Sequence, residues 1–189
     1  MEVTKDYQIP EYGEEIKVER KLLTVDDIEL IDGFRGDPDD VDFLEFLKEY
    51  AIDETISRTY IYRNTANGEA VAFCSLSCST IAEEKNDGLM SYAPAILVDK
   101  FMVDLRYRHI QYFRDDDKHV LASMIFLDMI EYIEELVKKV IGAQYIVLYS
   151  VQEAHNFYRN RCDMEDFKEY MRRTDDFRTN DCIPMFWVI

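Results

Sequence analysis

The sequence has few of the residues from which proteins build metal sites. Its 189 residues include 4 cysteines and 3 histidines, the histidines are scattered, and no CxxC pair is present. Zinc sites require paired cysteine spacing or clustered histidines, so we expect no metal. Buried, reduced thiols are the simplest interpretation of the cysteines, which are Cys74, Cys78, Cys162 and Cys182.

Long apolar runs are also missing. No uncharged apolar stretch is long enough to cross a bilayer, and the first 15 residues lack the apolar core of a signal peptide. We therefore expect a cytoplasmic protein that does not contact membranes.

Positive charge is scarce beside negative charge. Lys and Arg number 22 against 39 Asp and Glu, which gives a formal net charge of −17. The negative electrostatic potential that this charge creates opposes binding of nucleic acid and anionic membranes and favours basic partners. A negative net charge also increases solubility, whatever the partner. Nucleic acid is therefore not expected as a partner. With 48% hydrophobic residues the chain can bury a core, and its length is that of one domain.

The stretch from Pro94 to Val140 organises the chain. Apolar residues 95–98 and 101–103 predict a strand, and beyond a polar loop the apolar side chains recur at helical spacing. Residues 145–149 predict a second strand, with Gly142 placed as a left-handed cap of the helix. Strand, helix and strand in this order predict a parallel pair, with ligands at the strand's carboxyl end, against the helix N-terminus. The predicted buried face of the helix comprises Phe126, Ile130, Ile133, Val137 and Val140.

The remaining elements follow from shorter patterns. Thr24 is expected to cap a helix, and the turn-rich Phe34–Asp40 leads into an amphipathic helix. Asn67-Gly68 predicts a hairpin turn. The other predictions are strands at 58–63, 69–79 and 183–189, a polar excursion at 81–90 and a short helix at 153–160.

Three segments carry a family resemblance. FRGDPDDVDFL (34–44) is close to F-x-C/G-G-x-x-D-L-D-x-F-L, and residues 94–107 are close to PAILIGRLAVDKRYQG. AHNFY (154–158) is similar to AxxFY, and IPM (183–185) to the usual closing strand. In this order the segments resemble the GNAT superfamily of N-acetyltransferases. The subgroup includes toxins that acetylate aminoacyl-tRNA.

The resemblance implies a fold and an organisation. The fold is α/β (α+β): a mixed, mostly antiparallel, twisted sheet of about six to seven strands, with a splayed central parallel pair and helices on both faces. The whole chain, residues 1–189, would be a single GNAT-like acetyltransferase domain. A homodimer through edge strands is one oligomeric state that the family shows.

The resemblance also implies site residues. Acetyl-CoA would be the co-substrate, with its pantetheine arm on the backbone of Phe101, Met102 and Val103 and the acetyl oxygen held by a backbone donor. Tyr158 would be the general acid that protonates the departing thiolate, a role suited to a phenol whose ordinary pKa is about 10. The diphosphate would lie at the start of the following helix. Residues Lys118, His119, Val120, Leu121, Ala122 and Ser123 correspond to that loop.

The diphosphate segment departs from the family pattern Q/R-x-x-G-x-G/A. Val120 replaces the first glycine, and a β-branched residue resists positive φ and crowds the ligand. Residues 109–116 look like an insertion, and the run Asp115–Asp117 is placed to cap the helix instead of the diphosphate. Four cations could offset this negative charge: Arg106, Arg108, Arg114 and Lys118.

No general base stands out. Glu83, Glu84 and Asp104 are candidates by location, and Asp104 is better explained by pairing with the turn or with Arg106. His155 is better explained as a residue of the helix surface. Ser123 and Ser150 lack the His and Asp pattern of a triad.

Three functions remain open. The first is transfer of an acetyl group from acetyl-CoA to a small-molecule or protein amine, by direct attack in a ternary complex. The second is a degenerate GNAT-fold protein with a binding or regulatory role. The third is acetylation of charged tRNA, which the net charge disfavours.

Overall fold

The structure is a computed structural model of the chain. It describes residues 3–9, 14–37, 41–114, 117–174 and 181–189. Residues Pro38–Asp40 of the first family-like segment lie outside this part, as do Asp115 and Asp116.

Eleven strands and four α-helices make up the described chain. A single 3₁₀ turn, Val25–Asp27, precedes the first helix, with Thr24 at the N-cap as predicted. The helices are α1 (Ile28–Asp32), α2 (Val41–Glu49), α3 (Leu121–Lys139) and α4 (Gln152–Arg161). The strands are β1 (Val3–Ile9), β2 (Glu14–Leu22), β3 (Ser57–Asn64), β4 (Ala70–Glu84), β5 (Met90–Val103), β6 (Gln111–Arg114), β7 (Asp117–Val120), β8 (Tyr145–Ser150), β9 (Glu165–Asp166), β10 (Met171–Arg172) and β11 (Ile183–Val188).

The main sheet is mixed. Its strands pair in the order β1-β2-β3-β4-β5-β8-β11-β9, with β10 on β4. The β5–β8 pair is parallel, in a register from Ala95↔Tyr145 to Leu97↔Val147. The mixed, mostly antiparallel sheet and its parallel pair are confirmed. The expected number of about six to seven strands is too low, because the sheet has nine strands among the described residues. Its twist, its splay and helices on both faces stay predictions.

The chain divides into two compact units, and β4, β5 and α3 each run through both. The first unit comprises Met1–Ser75 and Lys100–Phe126. Apolar side chains from α1 and α2 pack there on residues of β3, β4 and β5. In this core the Phe34 and Phe73 rings meet edge to face at 4.9 Å. Its buried members are Leu23, Ile31, Phe34, Leu47, Ala51, Ile61, Ala70, Phe73 and Met102.

The second unit comprises Leu76–Asp99 and Leu127–Ile189. Phe186 of β11 is central to its core, because the Tyr145 and Phe167 rings both lie edge-on to it. The strand β11 pairs with β8 along its whole length, from Ile183↔Ser150 to Val188↔Tyr145. The expected closing strand is therefore confirmed. The core members are Ile81, Ala95, Val147, Met171 and Phe186.

Helix α3 keeps the predicted face but not its predicted end. Phe126, Ile130 and Ile133 are buried, whereas Val140 is 77% exposed. The expected left-handed cap at Gly142 is wrong, since only Gly68 and Gly88 have positive φ among the described glycines. The helix ends instead in a wider turn, in which the N–H groups of Val140 and Ile141 both donate to the Leu136 carbonyl.

The predicted polar excursion at 81–90 is wrong. Strand β4 continues to Glu84 and β5 begins at Met90, so only a short turn separates them. The Lys85 N–H donates to the Leu89 carbonyl and the Gly88 N–H to the Lys85 carbonyl, both at 2.8 Å. Gly88 has φ +78°, which glycine adopts without strain. Polar residues there mark a turn and exposed strand ends, not a loop.

The cysteines divide by exposure. All four are free thiols, but only Cys74 and Cys162 are buried, so the expectation of buried thiols is wrong for Cys78 and Cys182. Burial raises the pKa of the Cys162 thiol, which keeps it protonated at neutral pH. Within the described chain, no helix meets the length and apolarity that a membrane span requires.

Candidate active site

Asp104 directly follows β5, and its carboxylate is fully buried. Oδ2 accepts hydrogen bonds from the Arg35 backbone N–H and from Nη2 of Arg106, both at 2.8 Å. Oδ1 accepts from the backbone N–H and Nε of Arg106, at 2.8 and 2.9 Å. Four hydrogen bonds, two of them from a guanidinium, compensate the buried charge. The expected pairing of Asp104 with Arg106 is confirmed, and this carboxylate is occupied rather than a free base.

Arg106 joins three segments of the first unit. Besides Asp104, its Nη1 donates to the Glu69 carboxylate and its Nη2 reaches the Gly33 carbonyl at 3.3 Å. Glu69 also accepts a hydrogen bond from the Tyr107 hydroxyl at 2.6 Å. The end of α1, the turn before β4 and the segment after β5 are therefore held together. We call Asp104, Arg106 and Glu69 the clamp.

The Tyr107 hydroxyl lies between the clamp and the Asn67-Gly68 turn. It accepts hydrogen bonds from the amides of Asn64 and Asn67, at 3.4 and 3.2 Å. The Asn67 side chain also binds Glu69, donating to its carboxylate at 2.9 Å and accepting from its N–H at 3.0 Å. Residues that mark a hairpin turn in the sequence thus also order the clamp.

The pKa shifts follow from these contacts. Burial acts to raise the pKa of Asp104, but hydrogen bonds from Arg106 and from the Arg35 N–H outweigh it and lower the pKa overall. The hydrogen bonds that Arg106 donates to the Asp104 carboxylate raise the pKa of the guanidinium. Burial raises the pKa of Tyr107, and its bond to Glu69 acts in the same direction. At neutral pH Asp104 is therefore ionised, Arg106 is charged and the neighbouring Tyr107 is neutral.

Two of the four cations that could offset the phosphate charge are engaged within the protein. Arg106 belongs to the clamp, and Arg108 pairs with Asp37 and also reaches the Val103 carbonyl at 3.4 Å. The side chains of Arg114 and Lys118 lie outside the described part of the structure. Any role of Arg106 in holding a phosphate is therefore indirect.

The segment expected to be a diphosphate loop has another backbone form. The apparent insertion and the loop together form a hairpin, β6–β7, with register Gln111↔Val120 to Arg114↔Asp117. Strand β7 leads directly into α3 at Leu121. The expectation of a loop over Lys118–Val120 is wrong, because pairing with β6 extends that backbone. The assignment of cofactor binding to Lys118–Ser123 stays a prediction.

The strand conformation removes one objection to Val120. Among the described non-glycine residues only Asp163 has positive φ, so the valine is not strained as it would be in a glycine position. The first turn of the 19-residue helix contains no acidic residue, and Ala122 has a small side chain. The start of α3 is therefore compatible with a bound anion. The Leu121 N–H is not available to that anion, because it donates to the Ile110 carbonyl at 2.8 Å. The Asp117 side chain, like Asp115 and Asp116, lies outside the described part.

The predicted pantetheine residues lie at the end of β5, in the first unit. Met102 and Val103 are buried, and Met102 is a member of the core. The Phe101 ring meets Phe126 of α3 edge to face at 5.1 Å. The Asp104 N–H, one residue on, donates to the Val71 carbonyl of β4 at 2.9 Å. The backbone of this segment is thus fixed on its β4 side.

Tyr158 lies half-buried on α4, in the second unit, with its ring edge to face against Phe157 at 5.1 Å. Its carbonyl accepts from the N–H groups of Cys162 and Met164, which close the helix. His155, one turn earlier, binds Asp166 of β9 through Nε2 at 2.6 Å. His155 is therefore hydrogen-bonded to a carboxylate rather than a plain surface residue.

The other acid–base candidates have partners of their own. Glu83 accepts a hydrogen bond from the Tyr145 hydroxyl at 2.6 Å, and Glu84 pairs with Arg172 at 2.7 Å. The bond to Glu83 raises the pKa of Tyr145 to about 12, so this contribution to stability is lost only as the pH rises through that value.

The two serines considered for a triad are likewise engaged. Ser123 donates to the Val120 carbonyl and Ser150 to the Val151 carbonyl, both at 2.8 Å. Over the described ranges, no group of three or more His, Cys, Asp or Glu side chains is placed to hold a metal ion.

Sequence reasoning missed several members of this network. Glu69 and Asn64 received no role, because a strand and turn pattern says nothing about which distant side chains meet there. The available signal was Asp-x-Arg-Tyr at 104–107, in which Arg106 and Tyr107 both bind Glu69. The sequence predicted the Asp104–Arg106 bond but not the third member of the clamp.

Comparison with known proteins relates this fold to a class. No protein-family model matches the sequence, and no curated protein does. Solved structures do match. AtaT complexed with acetyl-methionyl-tRNAfMet has a TM-score of 0.65 and 13% identity, covering 90% of this chain and 94% of that one.

Two further matches agree. A structure described as a bacterial toxin has a TM-score of 0.61 and 12% identity, covering 100% of this chain and 91% of that one. A KacT mutant has a TM-score of 0.61 and 14% identity, covering 89% and 94%. These neighbours are toxin-type GNAT acetyltransferases. At such identities the likeness establishes the fold, and the chain has the GNAT fold.

Proposed function

We propose that the chain is an N-acetyltransferase that transfers an acetyl group from acetyl-CoA to a primary amine in a ternary complex. The observation that carries the proposal is the match of nearly the whole chain to toxin-type GNAT acetyltransferases. The parallel β5–β8 pair is consistent with that fold. We also propose that residues 1–189 act as a single acetyltransferase domain. AtaT structures contain acetyl-CoA, which supports the choice of co-substrate.

The proposed chemistry distributes three tasks over the chain. Acetyl-CoA supplies an activated acetyl group as a thioester. Backbone groups of Phe101–Val103 orient it, and the amides of Ala122 and Ser123 with the α3 dipole hold its diphosphate. The amine nitrogen forms a bond to the acetyl carbon while the carbon–sulfur bond breaks. Tyr158 Oη gives its proton to the departing thiolate, and water takes the proton that the amine loses.

Variants of two structural neighbours are consistent with the assignment to Tyr158. Structures of both AtaT and KacT have been determined with one tyrosine changed to phenylalanine, so a tyrosine hydroxyl was singled out in each protein. Tyr158 is the tyrosine of the family-like AHNFY segment. Helix α4 and the half-buried position of the side chain are compatible with a fixed acid.

Binding of acetyl-CoA tests the proposal directly. We expect a Kd in the micromolar range, so that 100 times this concentration stabilises the fold by about 2.7 kcal/mol. For a chain of this size that corresponds to a rise in Tm of roughly 5–10 °C. Differential scanning fluorimetry and isothermal titration measure both, with NAD⁺ as a charged nucleotide control. No shift at millimolar acetyl-CoA would contradict acetyl transfer and leave the degenerate, binding role.

Acetylation of aminoacyl-tRNA is the second candidate. The AtaT complex with acetyl-methionyl-tRNAfMet favours it. Among the other neighbours, AtaT binds the antitoxin AtaR, and KacTA forms a complex with DNA. The net charge of −17 opposes it. The deciding observation is growth arrest on expression, together with acetylated aminoacyl-tRNA by mass spectrometry. Without either, a small-molecule or protein amine is the acceptor.

A further inference from the structure

We propose that Asp104 and Arg106 are positioning residues that fix the N-terminus of α3 and thereby set the affinity for the diphosphate of acetyl-CoA. The inference rests on the proposed function for its ligand. The contacts by which the clamp positions the start of α3 all lie within the first unit, and they do not depend on the proposed function.

The clamp fixes the chain where it leaves β5. The Asp104 N–H is bound to the Val71 carbonyl, and its buried carboxylate holds Arg106 and the Arg35 N–H. The Leu105 N–H donates to the Arg35 carbonyl at 3.0 Å. Hydrogen bonds to Val71 and to Arg35 thus fix the backbone at residues 104–105. The residues that follow Leu105 therefore begin from a defined position.

A relay of backbone hydrogen bonds leads from this point to the helix. The Asp104 carbonyl accepts from the Tyr107 N–H at 2.8 Å, and the Tyr107 carbonyl accepts from the Ile110 N–H at 3.2 Å. The Ile110 carbonyl then accepts from the Leu121 N–H at 2.8 Å. Leu121 is the first residue of α3, so the relay ends where the diphosphate is expected to bind.

The clamp acts through this relay and not by touching phosphate. Nε, Nη1 and Nη2 of Arg106 all donate within the protein, to Asp104, Glu69 and Gly33. The Asp104 carboxylate would repel a phosphate if it approached one. Loss of the clamp should therefore loosen the helix start and weaken cofactor binding, while chemistry on bound cofactor proceeds as before.

Steady-state kinetics with acetyl-CoA as the varied substrate test the proposal. We expect Asp104→Asn to raise KM for acetyl-CoA about 10-fold, with kcat at saturation within about 3-fold of wild type. Arg106→Lys keeps the charge but loses the paired geometry, so it should raise KM by less. Glu19→Gln is the matched control, because Glu19 pairs with Arg63 at 2.6 Å in the same unit and has no bond to the relay. It should leave KM unchanged.

Hydrogen exchange in the absence of cofactor tests separately whether Asp104 and Arg106 fix the start of α3. Asp104→Asn should speed exchange of the amides in residues 107–114 and 117–123, with β8 and β11 protected as in wild type. Faster exchange together with a raised KM supports the proposal. If wild type fails to bind acetyl-CoA yet the exchange responds, the positioning holds and the proposed function fails. An unchanged KM, or unchanged exchange at 107–114 and 117–123, would overturn the positioning role.

Discussion

Tyr158→Phe is expected to lower kcat for acetyl transfer by about 10²–10⁴-fold, the range for loss of a positioned general acid. The substitution removes only the hydroxyl oxygen, so the ring contact with Phe157 is kept and Tm should change little. KM for acetyl-CoA should also remain near the wild-type value, because the proposed cofactor contacts come from other residues. The measurement is a steady-state assay that follows release of free CoA.

Tyr170→Phe is the control for this result. Tyr170 lies in the same unit and is 47% exposed, so the change removes a hydroxyl that has no role in the proposed chemistry. Full activity of Tyr158→Phe, with a pH profile like that of wild type, would remove Tyr158 from the mechanism. Loss of activity in both variants would indicate a general effect of tyrosine loss.

The second large effect concerns stability. Arg106→Met leaves the fully buried Asp104 carboxylate without its guanidinium, and we expect a loss of about 3–5 kcal/mol in the free energy of unfolding. Only the backbone N–H bonds to the carboxylate remain. Urea unfolding at pH 7 measures the loss, and a decrease below about 1 kcal/mol would show that the ion pair is not needed.

Two further measurements tie this loss to the buried charge. The double variant Asp104→Asn with Arg106→Met should be more stable than Arg106→Met alone, because no unpaired carboxylate is left. The wild-type pKa of Asp104 is lowered, so the pair's contribution is complete above the ordinary pKa near 4 and is lost as pH falls through the lowered value. The deficit of Arg106→Met should therefore shrink in acid.

The strand and helix pattern predicted the centre of the fold well. The apolar residues of 95–98, 101–103, 126–133 and 145–149 have the spacings of a strand, a helix and a strand, and β5, α3 and β8 follow from them. The ends of helices and strands were harder to predict from the sequence. Gly142 was expected to end α3, but a bond from the Ile141 N–H to the Leu136 carbonyl does so. That bond depends on the path of the chain into β8.

In the candidate site, too, contacts between residues close in sequence could be predicted, whereas contacts between distant residues could not. Asp104 and Arg106 are two residues apart, and their bond could be predicted from that spacing. The contribution of Glu69 comes from a residue 37 positions away in sequence, which only the folded chain brings into contact. The strand β7 was missed because its residues, Asp117–Val120, are mostly polar and lack alternation. Their pairing partner, β6, lies in what the family pattern marks as an insertion.

The direct passage from β7 into α3 limits how this region can vary in length. One residue added at Val120–Leu121 would rotate the helix by about 100° and move its apolar side out of register with the core. One residue added within β7 would exchange the two faces of that strand. Relatives of this chain should therefore keep the residue count at this junction constant and accept insertions at other positions.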